Sequence, residues 1–319
     1  MKKITLIKSI DTIQAGHVYE HIFCMQLAEY FRSQGLYSYL DYNIDAKTYY
    51  SGYVKLEVTF YSKAALKHQK AITRLSLVID DDVIDGAILQ IMAEKFVDFY
   101  VNDKDELQRA IKVYDASRWM KLLAIDRVLP KAPLKEGRYI QLVPRNSRHF
   151  LVMKQTITLG KDVLEGWDKD AVYPIFMVIS QMLTNNLQQV IADSSYCYSY
   201  DDTVTTTSGM KHANFYRIDK RQETKLTIEK AVTQELIEEM IASGMVHKLE
   251  AFFQDIKKHP ALAPDDDFIT SKTGVLVGAK GWSSIGTQAA IIHVLEHMTV
   301  EFKLDKTTQS LSISTLLNK

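Results

Sequence analysis

The sequence predicts an α+β fold built as two related α/β half-domains, each with a mostly antiparallel sheet and helices packed on one face. Three observations lead there. Segments that alternate apolar and polar residues are interleaved along the chain with longer segments of helical spacing. Both halves carry the two kinds in similar proportion, and a stretch holding Pro130, Pro133, Gly137 and Pro144 separates them. A chain of 319 residues, 46% of them hydrophobic, can also bury enough apolar surface for two packed units. The boundary is placed so that residues 1–143 form the first half-domain and 144–319 the second.

In chain order, Lys3–Ile10 alternates loosely and opens with β-branched residues, which predicts a strand. Gly16 precedes a helix over Val18–Gln34, which Gly35 is suited to cap. Tyr49–Tyr61 is aromatic and alternating and predicts one strand, with Gly52 as a bulge or a point of close approach. Helices are expected over Ala64–Leu77, Val83–Phe99 and Lys104–Leu123. In the second half, strands are expected at Phe150–Leu159, Tyr196–Thr207, Lys211–Ile218 and Gly274–Gly278. Helices are expected at Tyr173–Ile191, through Ile228–Ile256 and at Thr287–Phe302, before a polar tail.

Equal numbers of basic and acidic residues, 39 each, give no reason to expect nucleic acid or an anionic membrane as partner. Only Cys24 and Cys197 are present, too few for a disulfide framework and compatible with a reducing compartment. Lys8 and Asp11 interrupt the apolar run after the basic amino terminus, and no segment reaches the apolar length of a membrane span. The expectation is a cytoplasmic protein.

The chemistry concentrates in His17-Val18-Tyr19-Glu20-His21, an inverted HxxEH motif. Residues four apart share a helix face, so both imidazoles can reach one tetrahedral cation while Glu20 stands beside them. Zinc suits such donors and keeps a position for water, whose pKa it lowers. Glu20 is then a general base and not a ligand. The competing reading is that His17 and His21 are ordinary surface or core histidines.

With its flanks, Gly16-His17-Val18-Tyr19-Glu20-His21-Ile22-Phe23 resembles the G-x-x-H-x-x-E-H helix of the pitrilysin/insulinase peptidases, the family that includes mitochondrial processing peptidase. Tyr42-Asn43-Ile44-Asp45-Ala46-Lys47-Thr48-Tyr49-Tyr50 is similar to the family's N-A-x-T-x-x-x-T-x-Y stretch, which leads into an edge strand that aligns peptide. More faintly, the segment from Val190 to Ser199 is similar to V-R-E-x-x-G-x-x-Y-S. The resemblance implies halves folded as in the processing peptidases, a zinc metalloendopeptidase activity and a Zn2+ cofactor. It also implies a downstream glutamate as third ligand, for which Glu94 is the best candidate, with Asp98 as a partner that could orient a histidine and Glu57 as a weaker alternative ligand. Asn43 and Thr48 would bind substrate, and Tyr198 would act in catalysis.

Four departures accompany it. Ile191 stands where the family has an arginine that helps stabilise the oxyanion, so a homo-oligomer or a second family subunit would have to supply one. One strand, not several, precedes the metal helix. Ala87 occupies a position seven residues before Glu94 where the family has another glutamate, and Glu94 itself falls a few residues closer to His21 than is usual.

The pattern recurs at His293-Val294-Leu295-Glu296-His297, where His293, Glu296 and His297 form either the polar face of a terminal helix or a second metal site, with Glu301 within reach. Cys24 and Cys197 lack a neighbouring histidine and are not read as nucleophiles. The runs Asp80–Asp82 and Asp265–Asp267 read as solvated carboxylates, and Gly278-Ala279-Lys280-Gly281 as a turn. Three functions compete: a zinc peptidase, a catalytically impaired peptide-binding partner subunit on the same fold, and, ranked last, a lyase-type chemistry on a related zinc site that would need a cysteine ligand.

Overall fold

Strands β1 (Lys2–Ser9), β2 (Tyr42–Tyr49) and β3 (Tyr53–Phe60) form where β-branched and aromatic residues concentrate. In β3 the alternation is complete, with Val54, Leu56, Val58 and Phe60 buried between partly exposed neighbours. The computed structural model describes residues 2–95, 97–121, 140–146, 150–195, 198–206, 209–219, 226–258, 286–304 and 306–317. The chain divides into two compact units, one of Lys2–Leu36 with Tyr42–His149, the other of Tyr37–Asp41 with Phe150–Lys319. Both are α+β, with antiparallel sheets.

In the first unit the sheet runs β2-β3-β1-β5, where β5 is Met120–Lys121. Helix α1 (Ile13–Ser33) packs on β2 and β3 and sinks Val18, Tyr19, Ile22, Phe23, Leu27 and Phe31 into the core. It ends in a Schellman arrangement, in which Leu36 N–H donates to Phe31 O at 3.1 Å and Gly35 N–H to Arg32 O at 2.9 Å. Gly35 adopts φ 68°, as that cap requires. After α2 (Lys63–Leu66), helices α3 (Asp81–Lys95) and α4 (Lys104–Ala116) both pack against α1. Strand β4 (Val97–Val101) pairs with β6 (Ile140–Asn146) in a separate two-stranded sheet.

The second unit is built on β7 (Phe150–Gly160), α5 (Lys169–Ser195), β8 (Tyr198–Thr206) and β9 (Gly209–Asp219). It continues with α6 (Leu226–Ala242), α7 (Met245–Lys258), α8 (Gln288–Glu296), β10 (Met298–Leu304), β11 (Thr307–Ser312) and α9 (Ser314–Leu317). Its sheet runs β11-β10-β7-β9-β8, antiparallel throughout.

Several elements differ from the sequence expectation. The strand expected over Tyr49–Tyr61 is a hairpin: Gly52, at φ 89°, turns the chain, and the segment from Tyr42 pairs back on β3. The helix expected over Ala64–Leu77 stops at Leu66, after which backbone bonds of turn type take over. That expected over Val83–Phe99 ends at Lys95, and Val97–Val101 form β4. Thr287–Phe302 is helical only to Glu296, because Met298, Val300 and Phe302 alternate with exposed residues and join the sheet as β10. The polar tail supplies β11. The expected strand Gly274–Gly278, the Gly278–Gly281 turn and Asp265–Asp267 lie outside the described residues. Asp80 does act at a helix start, its Oδ1 accepting from Val83 N–H at 2.9 Å.

Candidate metal centre

Helix α1 begins at Ile13, a turn earlier than the sequence suggests, so the motif lies in its second and third turns. Burial of Val18, Tyr19 and Ile22 rotates the opposite stripe outward, and that stripe carries His17 and His21 with ring centroids 4.9 Å apart. Helix α3 packs alongside through Ile84, Ala87, Ile88 and Ile91. Its last turn brings up Glu94, whose Oε2 lies 3.4 Å from His17 Nε2 and 3.4 Å from His21 Nε2. The three side chains are 23%, 15% and 23% exposed, partly shielded yet open to solvent. Their donor atoms fall within 4.8 Å of one another, and no other group of three His, Cys, Asp or Glu among the described residues does so.

This donor set fits a tetrahedral cation. Ligands at about 2.0–2.1 Å from zinc stand about 3.3–3.4 Å from each other, the edge of a tetrahedron. Direct hydrogen bonds between the same atoms would be shorter, about 2.7–2.9 Å for a charge-assisted pair. The tautomer agrees. Gln90, on α3 and only 7% exposed, places Oε1 3.1 Å from His21 Nδ1. An amide oxygen only accepts, so Nδ1 carries the hydrogen and, in the neutral ring, Nε2 presents a lone pair to the Glu94 carboxylate. Two acceptors facing each other need a cation or a proton between them. When the two imidazoles donate from Nε2 instead, with no cation between, their hydrogen bonds hold the Glu94 carboxyl well below the usual range against the opposing effect of burial, and Lys95 adds to this through Oε1 at 2.6 Å.

Glu20 sits between the two histidines in sequence and accepts a short hydrogen bond at Oε2 from Thr48 Oγ1 on β2. Thr48, expected to bind substrate, thus contacts the expected base. Asn43 lies earlier on the same strand, opposite Thr59, and β2 is the terminal strand of its sheet. Asp98 is not on the helix with Glu94: it belongs to β4, so it is not one helical turn away. Glu57 is engaged with Lys3 and Lys55, each at 3.1 Å, and stands outside the cluster. Burial, together with the charges of Glu20 and Asp45, pushes the Cys24 thiol well up, which suits an inert packing residue. Cys197 lies outside the described residues.

The remaining expected residues belong to the second unit. Ile191 is buried in α5, and Tyr198 opens β8 opposite Arg217. Among the described residues the second HxxEH is not part of a group of three metal-ligating side chains. His293 Nε2 donates to Val163 O at 2.7 Å and its ring stacks on Trp167 at 5.0 Å. His297 forms the helix C-cap with Nδ1 2.8 Å from His293 O, Glu296 is exposed, and Glu301 lies exposed on β10. Each histidine spends one nitrogen on a backbone carbonyl, and the helix ends before His297. Sequence reasoning missed Gln90 and the pairing of Thr48 with Glu20, neither of which has a local sequence signal.

No protein-family model matches the chain, and no curated protein matches it. Solved structures similar to it include the periplasmic protease PqqL from Escherichia coli, at 10% identity and a TM-score of 0.29 over 95% of this chain and 43% of that one. Pitrilysin is similar at 11% identity and a TM-score of 0.25 over 99% of this chain and 45% of its own. A putative M16-like peptidase from Alicyclobacillus acidocaldarius shows 10% identity and a TM-score of 0.25 over 95% of this chain and 92% of its own. The chain spans less than half the length of PqqL and of pitrilysin. Similarity at this level does not decide chemistry, which rests on the residues of the site. Among the described residues no helix is long and apolar enough to cross a membrane.

Proposed function

We propose that this chain is a zinc-dependent metallopeptidase of the pitrilysin/insulinase type, with His17, His21 and Glu94 as ligands and Glu20 as general base. The observation that carries the reading is the 3.4 Å spacing of His17 Nε2 and His21 Nε2 from one oxygen of Glu94, the edge length of a zinc tetrahedron. Bound there, zinc would supply the Lewis acidity that brings a water's pKa towards neutrality. Glu20 would take a proton from the attacking water as its oxygen adds to the peptide carbonyl carbon, then deliver it to the amine nitrogen as the C–N bond breaks. Thr48 occupies Glu20 Oε2 and leaves Oε1 to carry the proton. As the terminal strand of its sheet among the described residues, β2 would offer backbone groups to an extended peptide, with Asn43 along it. Two cysteines and no disulfide framework suit a cytoplasmic setting.

The test is metal analysis of chelator-free protein together with Glu20→Gln. Stoichiometric zinc, and peptide hydrolysis lost by about 1000-fold in Glu20→Gln with zinc retained, is the expected outcome. Protein that takes up no zinc, with Glu20→Gln behaving as wild type, sinks the reading. One observation favours a second reading: Ile191, buried and apolar where the family resemblance has an arginine. On that reading the chain is a catalytically impaired peptide-binding partner subunit while another chain performs hydrolysis, and it predicts peptide binding without turnover.

A further inference from the structure

The groups that surround the three ligands are not those that would hold a metal most tightly. His21 hands its Nδ1 hydrogen to the amide oxygen of Gln90 at 3.1 Å, a neutral acceptor, where a carboxylate would push more electron density into the ring and strengthen Nε2 as a donor. Ala87, one helical turn before Gln90, is fully buried and offers no acceptor of its own. Glu94 shares its charge: Oε2 faces the histidines, while Oε1 is held at 2.6 Å by the Lys95 ammonium. His17 Nδ1 has no hydrogen-bond partner among the described residues, so none of these reinforces that ring. All three ligands are thus weaker donors than the same side chains backed by carboxylates.

Resting on the zinc reading above, we propose that Gln90 and Lys95 set how firmly the metal is held, making this an exchangeable divalent-cation site that favours Lewis acidity over retention. A weaker donor set leaves more positive charge on the ion, which acidifies water more strongly, and it lets the ion leave more readily. Gln90 is a positioning residue with two effects. It fixes the His21 tautomer, so its loss weakens binding, and it is neutral, so its conversion to a carboxylate strengthens binding. Lys95 acts through charge on Glu94.

The experiment titrates the full-length chain and its variants with Zn2+ against a chelator at fixed pH, and with Co2+ while recording the visible spectrum of a tetrahedral site. Gln90→Glu is expected to bind about tenfold tighter and Gln90→Leu about tenfold weaker. Lys95→Met is expected to bind about two- to fivefold tighter, the range of a solvent-screened charge pair. The gain in Gln90→Glu is the telling result, because damage to the fold weakens a site and does not strengthen it. Wild-type protein that binds neither metal overturns the zinc reading and this proposal together. Wild-type protein that binds Co2+ tetrahedrally, while Gln90→Glu and Gln90→Leu keep its affinity, overturns this proposal alone.

Discussion

Thr48 shows how one hydroxyl can matter at the residue scale. Its Oγ1 donates to Glu20 Oε2 and ties the expected base to the edge strand. A carboxylate deprived of that bond gains rotamer freedom, and the loss of one hydrogen bond to a charged group is worth about 1.5–3 kcal/mol. Thr48→Val is therefore expected to lower kcat for peptide hydrolysis by about tenfold or more, with unchanged zinc content, and Thr48→Ser to restore most of it. Equal kcat in wild type and Thr48→Val, measured on metal-loaded protein, would refute the pairing as functional. His17, Glu20 and His21 were legible in the sequence because helical spacing alone puts them together. Gln90 was not: it is 69 residues from His21, and only the packing of α3 against α1 makes them neighbours.

At the scale of elements, α1 is held by contacts at both ends. Gly35 was readable as its cap, since a left-handed residue after a helix is a local demand. Gly16 serves a different purpose, which appears only in three dimensions: a Cβ there would stand 2.3 Å from Ile10 Cδ1 and 3.2 Å from Ile10 Cγ2. Gly16→Ala gains about 1 kcal/mol of helix propensity but meets an overpacking cost of about 1–3 kcal/mol. Net destabilisation is expected in urea unfolding, and Ile10→Val, which removes Cδ1, should recover part of it in the double variant. Additive effects of the two changes would show that the contact is not made. Two of the misassigned elements share a cause: Met298–Leu304 and Val97–Val101 each lie close after a helix, and a short apolar run reads as helix or strand until its partner strand is known.

For the molecule as a whole, the pH dependence of stability traces to Lys8. Its ammonium lies in the interior of the first unit, donating to the carbonyl oxygens of Tyr114 at 2.7 Å and Ser117 at 2.8 Å beside the rings of Tyr19 and Trp119. Burial lowers its pKa to about 8, partly offset by Asp115. The unfolded chain keeps this proton to its ordinary value of 10.5 while the folded chain releases it near 8, so stability rises with pH across that window, by about 3 kcal/mol. Burial raises the hydroxyls of Tyr19 and Tyr114, with Asp115 adding at the first and Asp11 at the second. The unfolded chain then loses their protons first, and stability falls above about pH 10. Urea midpoints are expected to climb from pH 7.5 to 9.5 in wild type and to stay level in Lys8→Met; a level wild-type profile would contradict the assignment. The sequence by itself determined the α+β class, the helix cap and the HxxE spacing, because each depends on residues within a turn or a strand of one another. Only the tertiary structure decided that Glu94 and Gln90 stand beside the histidines of the first motif, that each histidine of the second HxxEH spends one nitrogen on a backbone carbonyl, and that a lysine lies buried in β1. Those outcomes depend on which distant elements pack together, and the burial of apolar faces that sets such packing leaves no spacing to read along the chain.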